Sequence, residues 1–232
     1  MVIPQTCKQL TIYSERSTLK AHNLVLETTT IMFGNKIISV KDQIADQIRS
    51  DIISGTLEPN ERLSEQSLSE RFGVSRGPIR EVLLQLTKEG LLVSKSNCGV
   101  SVNSALNTGM QELMIDIRRK IELHALSNIK NTLTEEDFGH FDEILERIQE
   151  AFVKEDFTEV TKADIDFHRL LVYKGGGQEL VNLWYPIVLR MRMNYKRLSS
   201  PKDCVEEHKA IVDALKDKSL AKAKKCLLGN IK

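Results

Sequence analysis

Three side chains in the second half of the chain have the types and spacing to hold a metal ion. Asp164 and His168 stand four residues apart in Asp164-Ile165-Asp166-Phe167-His168. On a helix that spacing stacks both side chains on one face. His208 follows in Glu206-Glu207-His208-Lys209-Ala210-Ile211-Val212, on an otherwise apolar face. A carboxylate and two imidazoles suit a divalent ion such as Zn, Ni or Mn. Spacing alone leaves the point open, because a histidine on an apolar helix face is more often a core residue with its hydrogen bonds satisfied. The same trio could hold a catalytic metal that activates water, as in a hydrolase, but no well-placed general base or nucleophile accompanies it.

The first half carries a different chemistry, in Phe72-Gly73-Val74-Ser75-Arg76-Gly77-Pro78-Ile79-Arg80-Glu81-Val82-Leu83. The pattern predicts a short helix over about Ser64 to Arg71, stopped at Gly73 by the positive φ that glycine tolerates. Ser75 can then cap a second helix, with Pro78 in its first turn, where a missing N–H costs nothing. Ile79, Val82, Leu83 and Leu86 recur at helical spacing and face a core, while Ser75, Arg76, Gly77 and Arg80 project outward near the helix start. That is how a recognition helix reads base edges, with arginine the best bidentate reader of guanine. Leu91-Leu92-Val93 reads as a strand, Ser94 to Gly99 as a turn and Val100-Ser101-Val102 as a returning strand. Helix-turn-helix followed by such a hairpin is a winged helix.

The elements that must position these groups divide the chain in three. Residues 1–36 have no sustained period; a locally packing arm and a true start at Met32 are both compatible with them, and no function is assigned. Residues 37–104 form the winged helix. Residues 107–232 read as helices throughout: Asn107 to Asn131, one capped by Thr134 before Glu135-Glu136, then about Phe157–Tyr173, Gln178–Leu198, Lys202–Leu215 and Ser219 onward. Gly175-Gly176-Gly177 and Ser199-Ser200-Pro201 supply the breaks. Short loops between long amphipathic helices predict an antiparallel bundle. The expected fold is therefore mainly α, a winged helix-turn-helix plus an antiparallel α-helical bundle. The link between the two is short enough to transmit a change of orientation.

Charge is balanced, with Lys+Arg 33 against Asp+Glu 32 in 232 residues. Within the winged helix Arg71, Arg76, Arg80, Lys88 and Lys95 stand against Glu65, Glu70, Glu81 and Glu89. DNA binding then rests on a few placed cations rather than on bulk charge, which suits a specific regulator better than a DNA coater. Cys7, Cys98, Cys204 and Cys226 are scattered without a disulfide or CxxC spacing, as expected for a reducing cytoplasm. No apolar run has membrane-spanning length, and no signal-peptide pattern opens the chain.

The segments Ile48 to Pro59, Leu63 to Arg76 and Pro78 to Leu83 resemble the N-terminal domain of the GntR superfamily of bacterial transcription regulators. The resemblance implies that Arg76 and Arg80 approach the major groove and that the wing enters the neighbouring minor groove, at Gly99. Three positions depart from the pattern. Asn60 replaces a glycine, which its tolerance of left-handed turns permits. Gln66 stands where some members carry a DNA-contacting arginine. Cys98 precedes Gly99 where many have a basic residue, leaving Lys95 as the nearest substitute. Arg118-x-x-x-Glu122, Asp164-x-x-Phe167-His168 and Glu207-His208-Lys209-Ala210-Ile211 resemble the FCD ligand-binding domain of the FadR-like branch.

That likeness implies a divalent metal held by Asp164, His168 and His208, with Asn230 where a fourth ligand is usually histidine. It also implies a small carboxylate effector completing the site. Arg118 is the candidate clamp, since guanidinium matches carboxylate geometry. Arg190 and Arg192 are rivals, with a salt bridge such as Arg118–Glu122 the alternative for each, and Asp166 and Glu122 are candidate outer partners that orient ligands. The expected protein is a cytoplasmic homodimeric regulator, a repressor, on a palindromic double-stranded DNA operator. The alternative within the same resemblance is a DNA-binding protein whose bundle has lost its sensing site.

Overall fold

The computed structural model describes residues 38–95, 99–129, 132–193 and 201–231. The arrangement described here belongs to one unit, Val40–Lys232. Residues 1–36, expected as an extension, lie outside the described residues.

Helix α1 (Val40–Ser54) buries Ile44, Ala45, Ile48 and Ile52. It packs on α3 (Arg76–Lys88), whose Ile79, Val82, Leu83 and Leu86 are buried at the spacing the sequence shows. Between them in the chain comes α2 (Glu65–Phe72), capped by the Ser64 side chain, which accepts from the Ser67 N–H. Gly73 ends α2 with φ 64 and ψ 30, and its N–H returns to the Ser69 carbonyl. The Ser69 hydroxyl donates to the Val74 carbonyl, which closes the turn into α3.

Ser75 is the N-cap residue of α3 by its backbone, yet its side chain makes no capping bond, contrary to the expectation. A capping oxygen bonds the N–H of the second or third helical residue. Here the third is Pro78, which has none.

A small antiparallel sheet completes the winged helix, in the order β1-β3-β2. Strand β2 (Leu92–Lys95) pairs with β3 (Gly99–Val102), Leu92 opposite Val102 and Lys95 opposite Gly99. The sequence reading missed β1 (Arg62–Leu63), which aligns Arg62 with Ser101 and Leu63 with Val100. Two residues carry no readable period. Asn60 has φ 70, the left-handed turn that leads into this strand.

The bundle consists of α4 (Thr108–Asn128), α5 (Glu135–Val153), α6 (Phe157–Arg192), α7 (Pro201–Lys216) and α8 (Leu220–Asn230). Asn107 caps α4, accepting from Met110 N, and Thr134 forms a reciprocal capping box with Asp137 at α5. The long α6 is the centre, packed against both α4 and α5. It runs through Gly175-Gly176-Gly177, where a break between helices is expected; only Gly177 leaves helical geometry, with φ 63 and ψ −167. The reason is contact. A Cβ on Gly175 would collide with the Ala125 carbonyl, so glycine here lets α4 and α6 close on each other. The Asn128 amide donates to the Gly175 carbonyl at 2.8 Å across the same crossing. Residues 199 and 200 of the second expected break lie outside the described residues.

The distal part of α6 also meets the winged helix, since α1 packs against α6. Arg49 lies over the Tyr185 ring at 5.8 Å from its centroid. It also binds Glu89, at the end of α3, through Nε at 2.8 Å and Nη2 at 2.6 Å. Arg190 donates both Nη atoms to the Ser104 carbonyl at 3.1 Å, in the link between the wing and α4.

Candidate functional site

Asp164 and His168 lie one turn apart on the first part of α6, and α7 brings His208 to them. Their ligand atoms all lie within 4.8 Å of one another. The rings of His168 and His208 meet at 5.3 Å, and Phe167 packs edge-on against both. Both histidines are fully buried.

The protein sets which nitrogen of each ring faces the cluster. His168 Nδ1 lies 2.7 Å from Glu122 Oε2, and His208 Nδ1 lies 2.7 Å from the Cys204 carbonyl oxygen. Each acceptor claims a proton on Nδ1 and leaves Nε2 for the site. Both are buried; His168 Nε2 has no hydrogen-bond partner among the described residues, and His208 Nε2 has only the Asp164 carboxylate, at 3.3 Å. Two buried Nε2 atoms gathered at one carboxylate, one of them without a partner, fit a divalent ion, and the partners on Nδ1 are those that orient metal-binding histidines.

Glu122 on α4 anchors this arrangement. It is fully buried and accepts from Arg118 Nε at 2.6 Å, from His168 at 2.7 Å and from the Trp184 indole N–H at 2.7 Å. Burial alone would raise its carboxyl, but Arg118 and His168 hold it down to about 2. His168 is pushed down by burial and stays neutral, as a ligand must. Asp164 lies well below the usual carboxylate range, because the Arg192 guanidinium and His208 outweigh its burial. His208 Nε2 stands 3.3 Å from Asp164 Oδ1. That neighbour, aided by Cys204, overcomes burial and lifts His208 to about 10. Metal uptake would therefore expel a proton from His208.

The other expected site residues fall in several places. Arg118 is buried beside Glu122, making the salt bridge that was its alternative reading. Asn230 is near, but its Nδ2 faces Glu207 at 3.4 Å and His208 Nδ1 at 3.5 Å, behind the ring rather than beside Nε2. Arg190, expected to grip an effector, instead holds Ser104 and lies against Gly90. Arg192, its rival, pairs with Asp164. Asp166 binds Arg147 and Arg169, because two positions along a helix from Asp164 it points away. Sequence reasoning missed Trp184 altogether; its one signal is that it is the chain's single tryptophan.

On the winged helix, Ser75, Arg76, Gly77 and Arg80 are all exposed along the start of α3. Arg76 Nη2 rests on Gln66 at 3.2 Å, and Arg80 Nε on Glu65 at 2.7 Å. Helix α2 thus holds both arginines in place on the surface. Gly99 is exposed at the start of β3. Lys95 is in β2, but its side chain lies outside the described residues, as does Cys98.

A helix-turn-helix with a wing, joined to a helical bundle that gathers buried ligand groups, defines a DNA-binding transcription regulator. Residues 40–102 match the Bacterial regulatory proteins, gntR family, and residues 113–232 match the FCD domain. The chain belongs to the GntR family, in the branch with an FCD domain. It is similar to the HTH-type transcriptional regulator YdhC of Bacillus subtilis, at 30% identity over 81% of this chain and 86% of that protein. It is 25% identical to the HTH-type transcriptional regulator McbR of Escherichia coli, over 83% of this chain and 89% of that one. The solved structure of E. coli McbR/YncC shares the fold, with TM-score 0.74 and 23% identity over 84% of this chain and 94% of that one. These families and relatives are regulators of transcription, not enzymes, so the hydrolase reading is set aside. Among the described residues no helix is long and apolar enough to cross a membrane.

Proposed function

We propose that this regulator binds a palindromic operator as a homodimer and that a small carboxylate sets its affinity. The effector would be held at a divalent metal on Asp164, His168 and His208, with Arg118 as its clamp. Arg76 and Arg80 would read the major groove of each half-site, with Ser75, Gly77 and Gln66 beside them and Gly99 at the wing. The Bacillus subtilis gluconate operon transcriptional repressor is 24% identical over 85% of each chain, and repression in the cytoplasm is the mode we infer by analogy.

The observation that carries the sensing half of this reading is the distal part of α6. Trp184 bonds Glu122 and Arg192 pairs with Asp164, both at the candidate metal site. Tyr185 meets Arg49, and Arg190 holds Ser104, both in or beside the winged helix. One helix therefore touches the ligand groups and the DNA-reading domain within nine positions. A metal supplies positive charge at Asp164 when bound. It would compete there with Arg192, which stands on the same helix that holds Arg49 and Ser104. Coupling of about 1–3 kcal/mol is the usual size for such regulation.

The test is a fluorescence-anisotropy titration on duplex DNA from upstream of the protein's own gene, with non-specific competitor at fixed salt. It is run with chelator, with Zn, Ni or Mn, and with each metal plus small carboxylates. Competitor-resistant binding that changes several-fold with metal or carboxylate supports the reading. Resistant binding that no addition moves would reduce the bundle to a non-sensing role.

A further inference from the structure

The winged helix holds few cations that are not already committed to an acid. Lys41 pairs with Glu81, Arg49 with Glu89 and Asp46, Arg71 with Asp51, and Arg80 with Glu65. Arg62, Arg76 and Lys88 have no acidic partner among the described residues, and all three are exposed, Lys88 at the far end of α3 from the reading residues. Arg76 opens α3, where base reading is expected. Arg62 belongs to β1, outside every motif quoted for DNA contact, and its role is unassigned.

Three observations place it. Its strand is fixed, with Arg62 aligned on Ser101, Asn60 N bonded to the Val102 carbonyl at 3.0 Å and Val102 N to the Glu61 carbonyl at 2.8 Å. Its guanidinium lies along the wing: Nε and Nη2 stand 3.6 Å from where a Cβ on Gly99 would be. The chain two residues on is Ser64, the cap of α2, whose Glu65 and Gln66 hold Arg80 and Arg76. Arg62 thus sits between the wing and the end of the helix-turn-helix that carries the reading arginines.

On the proposed placement of α3 in a major groove, on which this inference rests, that gap would face the sugar–phosphate backbone bordering the groove. A guanidinium laid along a strand surface cannot project to base edges, but it can meet a phosphate oxygen with paired N–H donors. We infer that Arg62 is a phosphate clamp, contributing charge and docking register but no sequence preference. It supplies beside the wing the cation that Cys98 does not. The inference does not depend on the metal or the effector.

The experiment measures binding of the full chain and of Arg62→Ala, Arg62→Lys and Arg76→Ala to a short random-sequence duplex and to the upstream duplex, over a range of salt. Neutralising one phosphate changes the slope of log K against log salt by about 0.9. Arg62→Ala should flatten the slope by that amount per bound winged helix and weaken both duplexes by the same factor. Arg62→Lys should restore the slope. Arg76→Ala should instead lower the ratio between the two duplexes. An Arg62→Ala slope equal to that of the full chain overturns the inference, as does loss of the ratio with the slope intact, which would make Arg62 a base reader. Arg62 is exposed, so Arg62→Ala should melt with the full chain; if it does not, the slope of Arg62→Gln, which removes the charge but keeps a long polar side chain, decides by the same criterion.

Discussion

Glu122→Gln changes almost no volume and tests how the site prepares its ligands. The carboxylate receives Arg118 and Trp184 on Oε1 and His168 on Oε2. A glutamine carbonyl can keep the first two donors, but its amide nitrogen then faces His168 Nδ1. That contact is satisfied only if His168 gives up its Nδ1 proton and carries it on Nε2, so the atom that should offer a lone pair to the metal becomes a donor. Partners in this position are worth about 10–100-fold in metal affinity. The variant also leaves the buried Arg118 without its counter-ion, and breaking such a pair costs about 3–5 kcal/mol. Thermal melting under chelator should show that loss. Competition for Zn against a chromophoric chelator should show an affinity 10- to 100-fold weaker than that of the unaltered chain. A variant that melts early yet holds Zn as tightly as before would refute the tautomer argument and leave Glu122 as a fold determinant only.

Arg76→Ala and Arg80→Ala should each cost about 1–3 kcal/mol of discrimination for the correct base, read as lost competitor resistance with unchanged hydrodynamic size. Arg190→Ala should leave Zn affinity alone but shrink the effect of metal on DNA affinity, since it frees Ser104 from α6; an unaltered metal response would remove Arg190 from the coupling. Gly175→Ala drives a methyl into the Ala125 backbone, and overpacking of this kind costs about 1–3 kcal/mol or more, a drop in Tm of at least several degrees. Gly139→Ala, in an exposed turn of α5 with nothing within 4 Å of the added carbon, should raise Tm slightly, because alanine is favoured over glycine in a helix by up to about 1 kcal/mol.

The winged helix was legible because its signals are local. Gly73, Pro78 and the apolar run Ile79, Val82, Leu83 and Leu86 each act within a turn of where they stand. The strand β1 was not, because its two residues take their geometry from β3, where Arg62 aligns with Ser101 and Leu63 with Val100. In the bundle, Asp164 and His168 were legible by helical spacing, whereas Trp184 and Arg192 were not. Reading the three glycines as a loop erases the helical phase beyond them, so nothing tells which face residues 184, 190 and 192 occupy. The contact that keeps the helix running, Gly175 against Ala125, is tertiary and leaves no trace nearby.

Arg192 gives the bundle a second property. Were a metal the sole counter-ion of Asp164, losing it would strand a buried carboxylate, and a charge taken out of water without a partner costs several kcal/mol. The chain carries its own understudy. With a guanidinium already seated on Asp164, loss of a metal bound there would end in an exchange of partners rather than in collapse. On the proposed function, such a protein would survive both conditions and report the difference between them.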